Sequence, residues 1–226
     1  MSEIVFGGQK YTGKELNAEE SAKLSRDVFD LLAYGNSFLN DLFRANAANI
    51  VGAAQVAKSK LDAPFAGIMA GDNEICVQLI RPGHLMRTTD TTETPANDWT
   101  FTVTADGDYL VGYSTNNTTA AHVDKDNVLL ILGVQFTQGA NPIIEELLIQ
   151  IGQTTYPVFV IRSAWPADNV NRIRACRLPP LLVEPRQTIL VQPYSILAGV
   201  QELVFVGLSF SLGRFARSAS YSAVSL

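Results

Sequence analysis

Few side chains in this sequence could carry out chemistry: its 226 residues include two histidines and two cysteines. His84 follows a Pro-Gly turn and His122 lies in a polar stretch, so both are predicted at the surface. A metal site inside a β-barrel needs several histidines and a carboxylate that converge, and two separated histidines do not supply that set. The sequence therefore predicts no metal ion and no cofactor.

The residues that could act as nucleophiles or acids do not form a recognisable catalytic motif. The chain has no Gly-x-Ser-x-Gly elbow, although a Ser/His/acid triad stays open because its members need only meet in space. Cys76 and Cys176 each lie in an apolar run, which predicts buried free thiols, while their spacing alone cannot decide a disulfide. The adjacent acids Glu145 and Glu146 are typical of a solvated edge. We therefore predict no catalytic residue and interpret the chain as not an enzyme.

Two arginines and two tryptophans are the remaining side chains that could form specific contacts with a partner or ligand. Arg172 and Arg174 alternate, so they share one face of a predicted strand, where they either protect a sheet edge or form ion pairs across a subunit boundary. Trp99 opens a predicted strand and Trp165 lies in an Ala-Trp-Pro turn. Each either stacks on a sugar ligand or packs in a core or interface.

Composition narrows the classes of partner. Charged residues make up 17% of the chain, below the usual ~25%, and hydrophobic residues make up 47%. This favours a surface that is partly covered by other copies, with a single large core as the alternative. The net charge of −5 argues against general nucleic-acid binding, which needs an excess of Lys and Arg. The sequence also predicts neither a signal peptide nor a transmembrane segment, and no small-molecule substrate.

The chain divides into four predicted parts. Residues 1–16 form an arm that either packs on a neighbouring copy or is disordered. Residues 17–64 have helical periodicity, with Asn17 as N-cap, Glu20 completing a capping box, and a break at Gly35-Asn36. Residues 65–212 form the β domain, and residues 213–226 form a small, Ser-rich tail.

The β domain is predicted from a period-two pattern that begins near Ile75. About ten short strands with turn signals between them indicate an antiparallel β-sandwich or barrel. In the stretch Leu203–Phe210 the even positions are all apolar, whereas the odd positions become small and polar. That pattern predicts a central strand covered on one face and partly on the other. The run Leu178-Pro179-Pro180 is predicted to be a turn or a crossing between sheets.

The last third of the chain resembles a known class of protein. The run Arg177–Val191 (RLPPLLVEPRQTILV), a loop, and Glu202–Phe210 (ELVFVGLSF) are similar to the closing strands of single jelly-roll proteins from virus particles. The resemblance covers roughly residues 127–212. It implies a mainly β fold, an antiparallel β-sandwich of the jelly-roll type preceded by an N-terminal helical segment. It also implies a structural virion protein, in a capsid shell, vertex or decoration role, that assembles in the host cytoplasm with copies of itself and other virion proteins.

This interpretation predicts that contact residues lie on the arms, the helices and the basic strand. The interface candidates are Phe6, Phe38, Phe43, Arg172, Arg174, Arg214, Phe215 and Arg217. The alternative function is a glycan- or receptor-binding jelly-roll module, in which Trp99 and Trp165 face the ligand.

Overall fold

The computed structural model describes residues 1–89, 92–95, 100–103, 121–136, 144–160, 174–195 and 198–216. The prediction of a mainly β chain is confirmed in these ranges. No helix among the described residues is long and apolar enough to cross a membrane.

The chain begins with a β-hairpin formed by β1 (Ser2–Phe6) and β2 (Gln9–Gly13). Gly7 and Gly8 connect the strands, and both have positive φ angles, +53° and +84°, as a tight two-residue hairpin turn requires. Phe6 is fully buried, and Ile4 lies against Gly52 of a following helix. The first thirteen residues are therefore folded onto their own chain, which is neither of the two outcomes predicted for the arm.

Helices occupy most of residues 18–60. Helix α1 (Ala18–Ser25) begins at the predicted N-cap, where the Glu20 N–H donates to Asn17 Oδ1 and the Asn17 N–H donates to Glu20 Oε2, both at 2.9 Å. A π-helix (Arg26–Leu32) continues it and ends before Gly35. Helices α2 (Ser37–Ala45) and α3 (Ala47–Lys60) follow, so the chain breaks at Gly35-Asn36 as predicted.

A six-stranded sheet lies against the helices. Its main order is β13 (Arg174–Val183), β9 (Asn127–Phe136), β15 (Gly199–Leu212), β4 (Ile75–Leu79) and β3 (Phe65–Gly67), and β7 (Thr100–Val103) pairs with the start of β15. Among these pairs only β3–β4 is parallel. Strand β15 is flanked by β9 and β4, so its predicted central place is confirmed.

A seven-stranded sheet contains the other described strands of residues 85–195. Its main order is β11 (Thr154–Thr155), β10 (Ile144–Ile151), β14 (Thr188–Ser195), β8 (Ala121–Val123), β5 (Leu85–Thr89) and β6 (Thr92–Pro95), and β12 (Phe159–Val160) also pairs with β10. All pairs in this sheet are antiparallel.

The alternation of side chains along β9 shows how the layers share two cores. Val128, Leu130 and Leu132 join the helix-side core, which also contains Phe6, Phe43, Ile50 and Phe210. Leu129 and Ile131 join the inter-sheet core, to which the seven-stranded sheet contributes Leu85, Ile149 and Val191. Since successive residues of a strand face opposite sides, the six-stranded sheet is covered on both faces.

Strand β13 corrects one expectation from the sequence. The Leu178-Pro179-Pro180 run is not a turn: it lies inside β13, where the register with β9 shifts between Arg177 and Leu181. Proline lacks the N–H needed in a ladder and is tolerated at bulges and edge strands, and β13 is at the end of the sheet order. The bulge therefore carries the chain through two prolines without ending the strand.

Candidate assembly surface

An open groove of about 960 Å³ runs along the outer edge of β4. The consecutive residues Cys76 to Arg81 all line it. On the face of a strand only alternate residues would line a groove, so this one follows the strand edge. Strand β3 pairs with β4 at Ile75 and Cys76, and no described strand pairs with β4 beyond that point on the same side.

The peptide groups of Leu79 point into this groove. The Ile80 N–H donates to Gly207 O of β15 at 3.2 Å. Main-chain groups alternate between the two sides of an antiparallel strand, so the N–H and C=O of Leu79 are directed away from β15. An unpaired strand edge of this kind is a template for pairing with another chain.

A buried carboxylate positions one rim of the groove, which consists of residues 68–70. Asp27 in the π-helix is 1% exposed, accepts the Ile68 N–H at 2.8 Å, and forms an ion pair with Arg26 at 2.7 Å. Gly67 precedes this rim with a φ of +88°, and a Cβ there would overlap Asp27 Oδ2. Because the chain turns away at Gly67, β3 stops, and no other strand in the described ranges covers the rest of this β4 edge.

A second buried carboxylate, Glu20, joins the helices to β3. It accepts from Lys58 Nζ at 2.6 Å and from the Phe65 N–H at 3.1 Å, besides its capping bond. Burial opposes ionisation of Glu20, but the hydrogen bonds from Lys58, Asn17 and Phe65 outweigh it and lower the pKa. The charged form therefore holds α1, α3 and β3 together behind the groove.

Another part of the groove lining comes from the residues that follow β15, beside Ala70 and Gly71. Gly213 and Ala216 line the groove. The Arg214 guanidinium donates two 3.0 Å hydrogen bonds to Asp126, and the Phe215 ring lies 6.1 Å from the ring of His84, centroid to centroid. These contacts fix the helical turn 213–216 at the groove.

His84 is the largest departure from the predicted placement of polar residues, because it is fully buried and not at the surface. Its Nδ1 accepts the Arg81 N–H at 3.0 Å, so in the neutral ring the proton is on Nε2, which is buried and has no hydrogen-bond partner among the described residues. Burial and the nearby charge of Arg81 lower the pKa of His84 to about 3. His84 is therefore neutral in the folded protein.

Beside His84 lies a fully buried polar cluster of three side chains, Asn127, Ser209 and Ser211. Asn127 Oδ1 accepts from the Ser209 and Ser211 hydroxyls at 2.7 and 2.8 Å, and Asn127 Nδ2 donates to His84 O at 3.3 Å. The polar odd positions predicted for β15 thus face Asn127 and not solvent. The cluster ties the 81–84 turn to β9 and β15.

The structure puts the predicted interface residues in different environments. Phe6 and Phe43 are 1% and 0% exposed in the helix-side core, so they offer no surface to a neighbour. Their apolar character comes from their place in their own chain's core. Phe38 is partly buried against the same core, Phe215 is partly buried, and Arg214 is exposed.

The other candidates cannot be placed. Arg172, Arg217, Trp99 and Trp165 lie outside the described residues. Arg174 is the first residue of β13, and its side chain is also outside what the structure describes. Their proposed roles stay predictions.

The two cysteines are buried free thiols, as predicted. Burial raises the pKa of Cys76 to about 11 and also raises that of Cys176. A thiol with a raised pKa is a poor nucleophile at neutral pH. Within the described ranges no three His, Cys, Asp or Glu side chains are grouped so as to hold a metal ion.

The groove was not among the features predicted from the sequence. The one local signal in the sequence is a short apolar run, ICVQLI, followed by Arg-Pro-Gly. Because no family model and no curated protein matches this chain, function has to be inferred from these residues themselves.

Proposed function

We propose that this chain is a structural subunit of a virus particle, in a capsid shell, vertex or decoration role, that assembles through its β domain and its exposed apolar edge. Its partners are other copies of itself and other virion proteins. The virion is its proposed location.

The observation that carries this proposal is the nested order of strand pairing. Strand β4 pairs with β15, β9 with β13, and β10 with β12, while β8 joins β5 to β14. The strands β4, β5, β9, β10, β13, β14 and β15 alternate between the two sheets. A long antiparallel hairpin rolled into two packed sheets would have this order, so the order supports a jelly roll, an arrangement common in capsid domains.

The core between the two sheets supports a β-sandwich independently of the strand order. Leu129 and Ile131 from one sheet and Ile149 and Val191 from the other belong to one buried cluster. Two sheets that pack face to face and contribute alternate residues to one core form a β-sandwich. The resemblance of residues 127–212 to virion jelly rolls is consistent with this architecture.

An exposed apolar side chain at the groove supports self-association. Met69 lines the groove and is 89% exposed, beside the apolar lining residues Leu32 and Leu79. An apolar lining at a strand edge is typical of a surface that another chain covers. With only 17% charged residues, the chain has little charge to oppose such contacts.

Size-exclusion chromatography with light scattering, over a hundredfold range of concentration, tests the proposal. We expect a discrete large species whose share rises with concentration and persists at high salt, because the proposed contacts are apolar and backbone-mediated. A monomer at every concentration, for the whole chain, would contradict it.

A further inference from the structure

We propose that the β4-edge groove receives residues 217–226 of a second copy of this chain, which add to β4 as a further antiparallel strand. This inference rests on the proposed function, since it names the contact through which copies associate. Residues 217–226, called the tail segment below, lie outside the described residues.

The groove has the two properties that strand addition requires. It offers main-chain groups, because the N–H and C=O of Leu79 point away from β15, and it offers apolar side chains, including Leu32, Met69 and Leu79. In strand addition the backbone hydrogen bonds supply affinity, and the side chains of alternate residues supply specificity.

The tail segment has the matching sequence pattern. Ala219, Tyr221 and Ala223 alternate with three serines over residues 218–223, which would put these three side chains on one face of an extended segment. The alternation ends there, and Val224 and Leu226 follow on the serine face. The small residues allow a close approach to the strand edge. Ten extended residues span about 33 Å, roughly twice the length of Val77–Arg81, so the segment can cover the edge and still bridge to its own copy.

The path of the chain after β15 favours a second copy as the source. The Gly213 N–H donates to Glu74 O at 3.0 Å and the Arg214 N–H donates to Asp72 O at 3.3 Å, so the chain leaves β15 beside the start of β4. A segment that continued into its own groove would run parallel to β4, in line with β3. A second copy's segment can enter antiparallel, as β4 pairs with β15, and antiparallel pairs are slightly more stable.

The position of Ala216 makes the exchange reciprocal. Ala216 lines the groove, so each tail segment begins at the rim of its own copy's groove. When two such grooves face each other, each copy can give its tail segment to the other. This is a self-complementary contact with two-fold symmetry, the commonest kind in homo-oligomers.

A mixing experiment with two complementary defects tests the inference. The first variant lacks residues 217–226 and keeps the groove. The second keeps the tail segment but carries Met69→Arg, which puts a charge in the groove at a residue that is 89% exposed and so should leave the fold intact. We expect neither variant to associate alone. We expect their mixture to form a mixed species, which light scattering and differently tagged copies would detect.

The matched control is Val5→Arg, which puts the same charge at an exposed apolar residue of the N-terminal hairpin. This variant should associate like the unmodified chain.

Leu79→Pro separates backbone pairing from apolar contact. It removes an N–H that points into the groove and is not used by the β4–β15 ladder, so the sheet should be retained. The labelled peptide RSASYSAVSL should bind the truncated chain, and Leu79→Pro in that chain should weaken binding about tenfold or more, as the loss of a backbone hydrogen bond implies.

The outcomes distinguish this inference from the proposed function. If the unmodified chain assembles but truncation and Met69→Arg both leave assembly intact, the inference is wrong and the proposed function stands. If the peptide binds yet the mixture forms no mixed species, the tail segment occupies its own copy's groove, and exchange is refuted. If the unmodified chain never assembles, the proposed function itself fails.

Discussion

Acid should destabilise this protein through His84 before its carboxylates are protonated. The folded protein holds His84 neutral, with a pKa lowered to about 3 by burial and by Arg81, whereas the unfolded chain protonates it near 6.5. Below pH 6.5 the unfolded state therefore binds more protons, and the free energy of unfolding falls as the pH falls. At pH 5, about 1.5 units below the unfolded pKa, the loss is about 2 kcal/mol.

This magnitude does not depend on how low the folded pKa lies, provided that it is well below 5. The lowered pKa of Glu20 also makes the protein acid-sensitive, but that loss sets in only as the pH falls through the ordinary carboxyl range, from about pH 5 downward. Between pH 8 and pH 5 we therefore expect His84 to contribute the larger part of the loss. For a chain of this size, about 2 kcal/mol corresponds to a decrease of about 4–8 °C in melting temperature.

Urea denaturation at pH 8, 6.5 and 5, at one fixed protein concentration, measures the effect. His84→Asn keeps an acceptor for the Arg81 N–H and removes the titrating group, so it should lower stability at every pH but abolish most of the pH dependence. His122→Asn, at the other histidine, is the control and should retain the slope. A flat pH response in the unmodified protein, or a full slope in His84→Asn, would refute the reasoning.

Three further changes test the packing around the groove, each by urea denaturation or thermal melting. Asn127→Leu should lower the free energy of unfolding by about 1–3 kcal/mol, because the buried Ser209 and Ser211 hydroxyls, 2.7 Å apart, are left with only each other and one of them has no acceptor. Adding Ser209→Ala and Ser211→Ala should recover much of that loss. Gly67→Ala should cost more than Gly8→Ala: both positions have positive φ, but only at Gly67 would the Cβ meet Asp27, and equal losses would contradict that contact. Deletion of residues 1–13 should lower the melting temperature, since it removes the buried Phe6; an unchanged melting temperature after this deletion would contradict the packing of the hairpin.

Features that depend on local pattern could be predicted from the sequence. The Asn17–Glu20 capping box needs only four adjacent residues, and the even and odd faces of β15 follow from alternation within one strand. The burial of the two cysteines follows from the apolar runs around them. In each case the deciding information lies within a few residues.

Features that depend on distant residues could not be predicted. His84 follows a turn signal, but it is buried because Phe215 and Asn127, more than forty residues away in sequence, pack around it. The groove exists because β3 ends at Gly67, where Asp27 of the π-helix takes the next backbone N–H. The β13 bulge that accommodates Pro179 requires pairing with β9. No local pattern encodes these pairings.

Electron microscopy of the purified 226-residue chain tests most directly the claim that this protein assembles from many copies. A jelly-roll subunit that associates through an open strand edge should form particles of uniform size with repeating subunits, and removing residues 217–226 should reduce their number. Fields that contain only single copies of about 25 kDa, under conditions where the protein is folded and concentrated, would contradict the account.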